Sequence, residues 1–338
     1  MAIYLKMMRK MMRKINNPWN EIQPPQDDVN ARRVDHTHPL DLFWAKDSLG
    51  RYLFIYEFPE AVSIAKNNLP EIQGLQIEIF STPNKPVKKR LILLLKETEN
   101  WEIFLALCND IIHSTRAVRD GSWATQIFIR RLKRWQDFLK KGRKEILSED
   151  EIKGLIGELI FLRNYLTPSF GLEHAVRFWQ GPEDLPQDFN VNDSAVEIKC
   201  QSGGSSPTIH ISSADQLNSQ LHELYLFVVT LGKTPPEAEN AVNLPLLITE
   251  LRDGIELNAP TVLERFNDLI YLTGYIDSDL YLDFSYILSK VTSYIVTDEF
   301  PKICRPDIHP GIVRVSYTLS LDECTPFIQY PDWMEEKI

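Results

Sequence analysis

The residues on either side of Asn192-Asp193 alternate in character, with Asp188-Phe189-Asn190-Val191 before and Ser194-Ala195-Val196-Glu197-Ile198-Lys199-Cys200 after. Asn and Asp tolerate the positive φ of a tight type I′ turn, so the stretch predicts a β-hairpin. A two-residue turn leaves one register. Val191 then faces Ser194, Asn190 faces Ala195, Phe189 faces Val196, and Asp188 lies opposite Glu197. Side chains alternate between faces along a strand, so Lys199 joins Glu197 and Asp188 on one face. Phe189, Val191, Val196, Ile198 and Cys200 take the other.

Directly opposed residues bring their Cβ atoms to about 4.5–5.5 Å, where like charges oppose pairing. Two converging carboxylates suit a hard divalent cation such as Mg²⁺, which takes oxygen ligands and often sits between protein carboxylates and a phosphate. With Lys199 beside them the trio reads as metal-assisted phosphodiester hydrolysis, the lysine serving a bound water or developing phosphate charge. Spacing alone leaves a second reading equally open, a surface hairpin on which Lys199 merely neutralises Glu197. A three-residue turn would also direct Asp188 away.

Asp188, eight residues, then Glu197-Ile198-Lys199 resembles the PD-(D/E)XK nuclease signature. The surroundings resemble a bacterial PD-(D/E)XK group found in restriction and phage-defence neighbourhoods. They include Gly157-Glu158 upstream, Trp179-x-Gly181-Pro182 leading to Asp188-Phe189, and Ile211-Ser212-Ser213-x-x-Gln216-Leu217 downstream. The likeness is strongest between about residues 148 and 231, and it departs from the signature where Gln187 replaces the proline before Asp188.

The resemblance implies an α/β (α+β overall) chain with a restriction-endonuclease-like core, a central mixed β-sheet flanked by helices. It implies a Mg²⁺- or Mn²⁺-dependent endodeoxyribonuclease of restriction or phage-defence type. Asp188, Glu197, the Ile198 carbonyl and Glu158 would hold the metal, Lys199 would position or activate water, and Gln216 would support Lys199 or contact the nucleic-acid backbone. Expected partners are DNA, companion restriction or defence proteins, and a second copy in a homodimer. The alternative is a non-catalytic PD-(D/E)XK-like module that binds DNA or assembles a defence complex. A glycosidase using the same carboxylates fits poorly, because no sugar-binding aromatic platform accompanies them.

A chain of 338 residues with 43% hydrophobic content can bury a sizeable core and form two or three domains. The formal charge of −10 argues against a generally basic coat, though not against a local basic groove. Cys108, Cys200, Cys304 and Cys324 lack C-x-x-C spacing, which fits a reduced cytoplasm rather than a zinc site or a disulfide framework. Residues 1–14 carry five of the six methionines and five Lys or Arg, without the apolar core of a signal peptide or the length of a membrane span. Residues 1–20 are expected to be a disordered tail, and no membrane association is expected.

The β-rich segment that follows places strands at Leu42 to Ala45, Arg51 to Phe58, Leu75 to Phe80 and Val87 to Lys96. Asp35-His36-Thr37-His38 and Asp41 imitate a metal cluster, but Pro39 interrupts the run and it is taken as a loop. Helical stripes follow over Trp101 to His113 and Thr125 to Gly142. The second carries Arg130, Arg131, Lys133, Arg134 and Lys140, and Lys141, Arg143 and Lys144 continue the run. An anionic partner and a solvated face remain equal readings of it. Residues 21–146 form the expected N-terminal domain.

Residues 147–235 form the expected core. Ser148-x-x-Glu151 is a capping box opening an amphipathic helix, with Glu158 beside its apolar stripe. Ala175 to Gln180 reads as a strand, Thr208 to Ile211 as extended, Ser212 or Ser213 as the cap of a helix to His222, and Glu223 to Leu231 as a buried strand. In residues 236–338, an expected C-terminal α/β extension, a helix is predicted over Pro260 to Thr273, strand over Tyr281 to Thr297 and a half-buried strand over Val313 to Leu321. No G-x-S-x-G elbow or Ser-His-Asp order competes as an active site.

Overall fold

The computed structural model describes residues 17–60, 62, 64, 69–81, 88–116, 118, 120–140, 146–183, 185–204, 206–304 and 308–334, with the backbone alone at 137, 138, 140 and 279. Contacts divide the chain into two compact units, residues 1–146 with 276–278, and residues 147–275 with 279–338.

In the first unit, alternating apolar residues form β2 (Asp41–Asp47), β3 (Tyr52–Pro59), β4 (Leu75–Ser81) and β5 (Lys88–Leu95), joined by an unpredicted edge strand, β1 (Val29–Arg33). The sheet is antiparallel throughout, in the order β1-β2-β3-β5-β4. The polar sequence of β1 carries no alternation to announce it, and pairing with β2 alone recruits it. Of the expected tail, residues 1–16 lie outside the described residues. Trp19 is fully buried, stacked on Tyr52 at 5.0 Å and Phe104 at 5.1 Å. His38 is buried as well. Its Nδ1 accepts the Leu40 N–H at 3.1 Å, which makes Nε2 the donor to the Ile112 carbonyl, also at 3.1 Å. With both ring nitrogens so engaged, the histidine is a core residue rather than a metal ligand.

Helices α1 (Trp101–Thr115) and α2 (Gly121–Lys140) follow. Arg131, read from sequence as part of a basic surface run, is instead 1% exposed. Its Nε donates to Asp110 Oδ2 at 2.8 Å, its terminal nitrogen pairs with Asp110 Oδ1, and Trp135 Nε1 reaches the same carboxylate at 2.9 Å. The bidentate pair ties α1 to α2, so this residue leaves the set available to an anion. Lys133 stays exposed, and Arg130 lies 5.6 Å above the Trp123 ring. Lys141, Arg143 and Lys144, and the side chain of Lys140, lie outside the described residues.

The second unit opens with α3 (Glu149–Phe161), whose capping box forms as expected. A π-turn at Leu162–Leu166 leads into α4 (Thr167–Phe178). Helix therefore replaces most of the strand expected over Ala175 to Gln180, because Ala175, Val176 and Trp179 are spaced to bury one helical side. Only Trp179 is extended, bridging Phe189. Then come β6 (Phe189–Val191), β7 (Ser194–Ser202), β8 (Thr208–Ile211) and β9 (Glu223–Lys233). Helix α5 (Leu244–Asn258), which sequence did not announce, packs against α3 and is followed by α6 (Leu263–Leu272).

Strand β10 (Tyr286–Ile295), from the residues set apart as an extension, completes a mixed sheet in the order β10-β9-β7-β6. β7 and β9 run parallel at its centre and the outer pairs run antiparallel. β11 (Tyr317–Ser320) pairs with β8 as a separate ribbon. Val313 to Ser316 was expected to continue this strand, but β8 supplies only four partners before the chain turns at Ser212. Among the described residues no helix is long and apolar enough to cross a membrane.

Breaking a buried ion pair strands its partner's charge out of water, at a cost of about 3–5 kcal/mol. Arg131→Ala should therefore destabilise the first unit by about that amount in denaturant melts, while Lys133→Ala should change it by less than about 0.5 kcal/mol. Equal, small effects would place Arg131 on the surface after all.

Candidate active site

The hairpin register matches the sequence expectation, with Phe189 opposite Val196, Asn190 opposite Ala195 and Val191 opposite Ser194. The turn type differs. Asn192 has φ of 54°, but Asp193 does not share the positive φ that a type I′ turn requires at both central positions. Strand alternation places Ala195, Glu197 and Lys199 on one side of β7. That side is packed rather than solvated. Ala195, Leu226 and Val228 share a buried cluster with Ile209 and Ile211 of β8 and Leu319 of β11. Glu197 is 1% exposed and the Lys199 side chain 17%, which excludes the surface-hairpin reading.

Asp188 stands immediately before β6, its carbonyl accepting the N–H groups of Gln180 at 2.8 Å and Gly181 at 2.9 Å. Its Oδ2 reaches across the hairpin to the Ile198 N–H at 2.7 Å. Glu158, on the last full turns of α3, accepts the Trp179 indole N–H at 2.6 Å. Asp188 and Glu158 meet at Gly181, where a Cβ would lie 2.8 Å from Asp188 Oδ1 and 3.1 Å from Glu158 Oε2. A side chain at 181 would displace one or both carboxylates.

Lys199 Nζ donates to Glu197 Oε1 at 2.8 Å and to Gln216 Oε1 at 3.1 Å. The Gln216 oxygen is held in turn by the Ser212 N–H at 2.9 Å and hydroxyl at 3.0 Å. The helix expected from Ser212 to His222 is a single 3₁₀ turn, Ala214–Leu217. Gln187, whose importance sequence did not reveal, helps explain this. Its side-chain amide donates to the carbonyls of Asp215 at 2.8 Å and Asn218 at 3.1 Å, occupying acceptors that a longer helix would use. A glutamine where the motif often has proline was the available signal. Its buried side chain joins the segment just before β6, where Asp188 stands, to the turn of Gln216.

The structure thus gathers Glu158, Asp188, Glu197, Lys199 and Gln216, with Ile198 between the second acid and the lysine. Burial raises the Glu158 pKa to about 8, assisted by the Asp188 charge and opposed by Trp179 and Lys199. Burial raises Asp188 to about 6, against the Ile198 hydrogen bond and Lys199. Glu197 is pushed well up by burial and by Asp188. Lys199 is raised because these carboxylates outweigh its own desolvation. Burial also lifts the neighbouring Cys200 thiol to about 12, which keeps it protonated and inert.

Among the described residues no three His, Cys, Asp or Glu side chains form a finished ligand set for a metal. Each carboxylate is held by its own protein donor. The donor chemistry nevertheless fits a hard divalent cation, since all three acids offer oxygen and the buried Glu197 Oε2 has no hydrogen-bond partner.

A mixed sheet flanked by helices, with an acid before one strand and Glu-x-Lys on the next, is consistent with the restriction-endonuclease-like fold. The chain belongs to the family described as "Putative PD-(D/E)XK family member, (DUF4420)", whose model matches residues 15–322. PD-(D/E)XK proteins are usually nucleases and generally use divalent metals. No curated protein and no solved structure matches the chain.

Two expectations follow. Between about pH 4 and about pH 8 the native chain keeps protons on Asp188 and Glu158 that the unfolded chain has released, so native stability falls as pH rises through that window. In chelator, the melting temperature should drop from about pH 5 to about pH 8, and Glu158→Gln should flatten the upper part. A level or rising curve contradicts the burial of these acids. For the amide bridge, Gln187→Ala should destabilise the second unit by about 1–3 kcal/mol in denaturant melts, because it leaves carbonyls at the turn without their donor, with Gln187→Asn restoring little because the shorter side chain cannot span the same carbonyls. An unchanged melt would remove the bridge as a determinant of this turn.

Proposed function

We propose that this chain is a divalent-metal-dependent endodeoxyribonuclease acting in a restriction or phage-defence system. One observation carries the reading. Three buried carboxylates face one lysine, so when all are ionised two negative charges remain uncompensated in a site withdrawn from water. A doubly charged cation offsets that surplus.

Asp188, Glu197 and Glu158 are the residues to hold the metal, with the Ile198 carbonyl as a fourth oxygen. Bound there, Mg²⁺ or Mn²⁺ neutralises phosphate charge and acidifies water. Lys199 has three donors and spends two on Glu197 and Gln216, leaving one to orient a water or a phosphoryl oxygen. Gln216 limits the swing of that ammonium, and Trp179 limits that of Glu158. The separate engagement of each acid also favours a second reading, a non-catalytic module that binds DNA or assembles a defence complex. Metal-dependent turnover discriminates the two.

Asp188→Asn and Glu197→Gln keep side-chain shape while removing charge, and an amide oxygen can still accept from Ile198 or Lys199. In chelator Asp188→Asn should melt at or above the wild-type temperature, because it deletes a desolvated like charge. Added Mg²⁺ or Mn²⁺ should raise the wild-type melting temperature and leave Asp188→Asn unmoved. Metal-dependent cleavage of duplex, assayed with modified and unmodified DNA and with neighbouring gene products, should fall by orders of magnitude in both variants while binding survives. Cleavage that persists unchanged would displace the active site from these residues.

A further inference from the structure

Strand register lays the face of the candidate site out in rows. Glu197, Leu226 and Tyr294 oppose one another across β7, β9 and β10, then Lys199, Val228 and Thr292, then Gln201, Thr230 and Lys290. Directly paired residues share a face, so the third row lies beside Lys199 on the side that carries Glu197. The rows differ in cover. The first is buried, and the second leaves only the Lys199 side chain in reach of water, at 17% exposure. In the third, Gln201 and Thr230 are half-buried and Lys290 is exposed. The packed cluster shared with β8 and β11 includes Leu226 and Val228 and stops before Thr230. The face therefore opens to water at Gln201, Thr230 and Lys290.

This third row offers donors and no acid. Gln201 Nε2 donates to Thr230 Oγ1 at 2.9 Å, which leaves the threonine O–H and a second amide N–H to give. Among the described residues Lys290 makes no ion pair, so its ammonium is unspent. The amide does not complete the core, since Gln201 Oε1 is buried without a hydrogen-bond partner, and a buried polar group left so is a cost to folding. Several donors and one cation, with no carboxylate competing for them, suit an anionic acceptor.

We propose that Lys290 and Thr230, the latter steadied by Gln201, bind a backbone phosphate of the DNA strand engaged at the Asp188–Lys199 site. Two residues along a strand cover about 6.6 Å and two strands across about 9.6 Å, which puts Lys290 about 12 Å from Lys199 at the backbone. That span is a few nucleotides of one strand. The inference rests on the nuclease reading above and adds to it a contact that positions the strand without taking part in the chemistry.

The test uses the full chain carrying Asp188→Asn, which should prevent cutting, and a fluorescein-labelled duplex titrated across a salt series. Lys290→Gln should reduce the slope of log affinity against log salt by about 0.9, the share of one phosphate contact, and Lys290→Arg should restore it. Lys96→Gln, at an exposed lysine of the other unit, should leave the slope at the parent value. Thr230→Val keeps the side-chain shape and should weaken binding about tenfold with little change in slope, the loss of one hydrogen bond to a charged group. Lys290→Gln should melt at the parent temperature, as expected for an exposed position. If the parent binds duplex and Lys290→Gln and Thr230→Val bind with its affinity and slope, the subsite is overturned and the nuclease reading stands. An equal fall in slope in Lys96→Gln assigns the effect to general charge attraction and also overturns it. Self-association of Lys290→Gln with duplex binding intact assigns the lysine to guarding the edge of β10 against strand pairing, which overturns the proposal as well. If the wild type neither binds nor cuts duplex, both readings fall together.

Discussion

The carboxylates of Glu158, Asp188 and Glu197 repel one another, and the second unit keeps all three out of water. Such a cluster is costly wherever it occurs, because burial disfavours every one of the charges. Each acid is accordingly met by a different class of donor: an indole for Glu158, a backbone N–H for Asp188, an ammonium for Glu197. These donors belong to separate segments of chain. Trp179 follows α4, Ile198 lies in the parallel centre of the sheet, and Lys199 is steadied from the turn after β8. The electrostatic demand of the site therefore dictates how helix, sheet and ribbon converge.

The apolar side of β7 supplies the rigidity that this convergence requires. Phe161 at the end of α3 meets Phe189 at 5.0 Å and Phe227 at 4.7 Å, fixing the helix over both β6 and β9. Glu158 lies one turn earlier on that helix, so its reach toward Gly181 is set by aromatic packing three residues away. The place of Glu158 is thus secured by apolar contacts made further along its own helix.

Much of the site was legible in sequence because its determinants are local. Asn192-Asp193 fixed a two-residue turn, and the turn fixed which residue opposed which, even though Asp193 did not take the φ first assigned to it. Ser148 and Glu151 likewise announced the start of α3. The failures have a common origin in long-range contact. Arg131 looked like surface charge because Asp110, its partner, is 21 residues away on another helix. Gln187 looked like a blemish in a motif because the carbonyls it binds lie near residue 216. β10 looked like part of a separate extension because pairing with β9 crosses more than fifty residues of intervening helix and loop. Strand β1 had no apolar pattern at all.

Gly157 sits where α3 crosses β7, and a Cβ there would overlap the Cys200 Sγ and approach Ile198 Cγ2 at 3.2 Å. The Cys200 thiol donates to the Lys153 carbonyl one helical turn away, so it is clamped between helix and strand. Helix and strand consequently share one methyl-sized volume, which either element can occupy but not both. Positions 157 and 200 are a volume couple: an alanine on the helix becomes admissible when the strand gives up its sulfur. The cysteine is then best understood as a spacer that sets the height of α3 above the sheet, and drift at either position is conditional on the other.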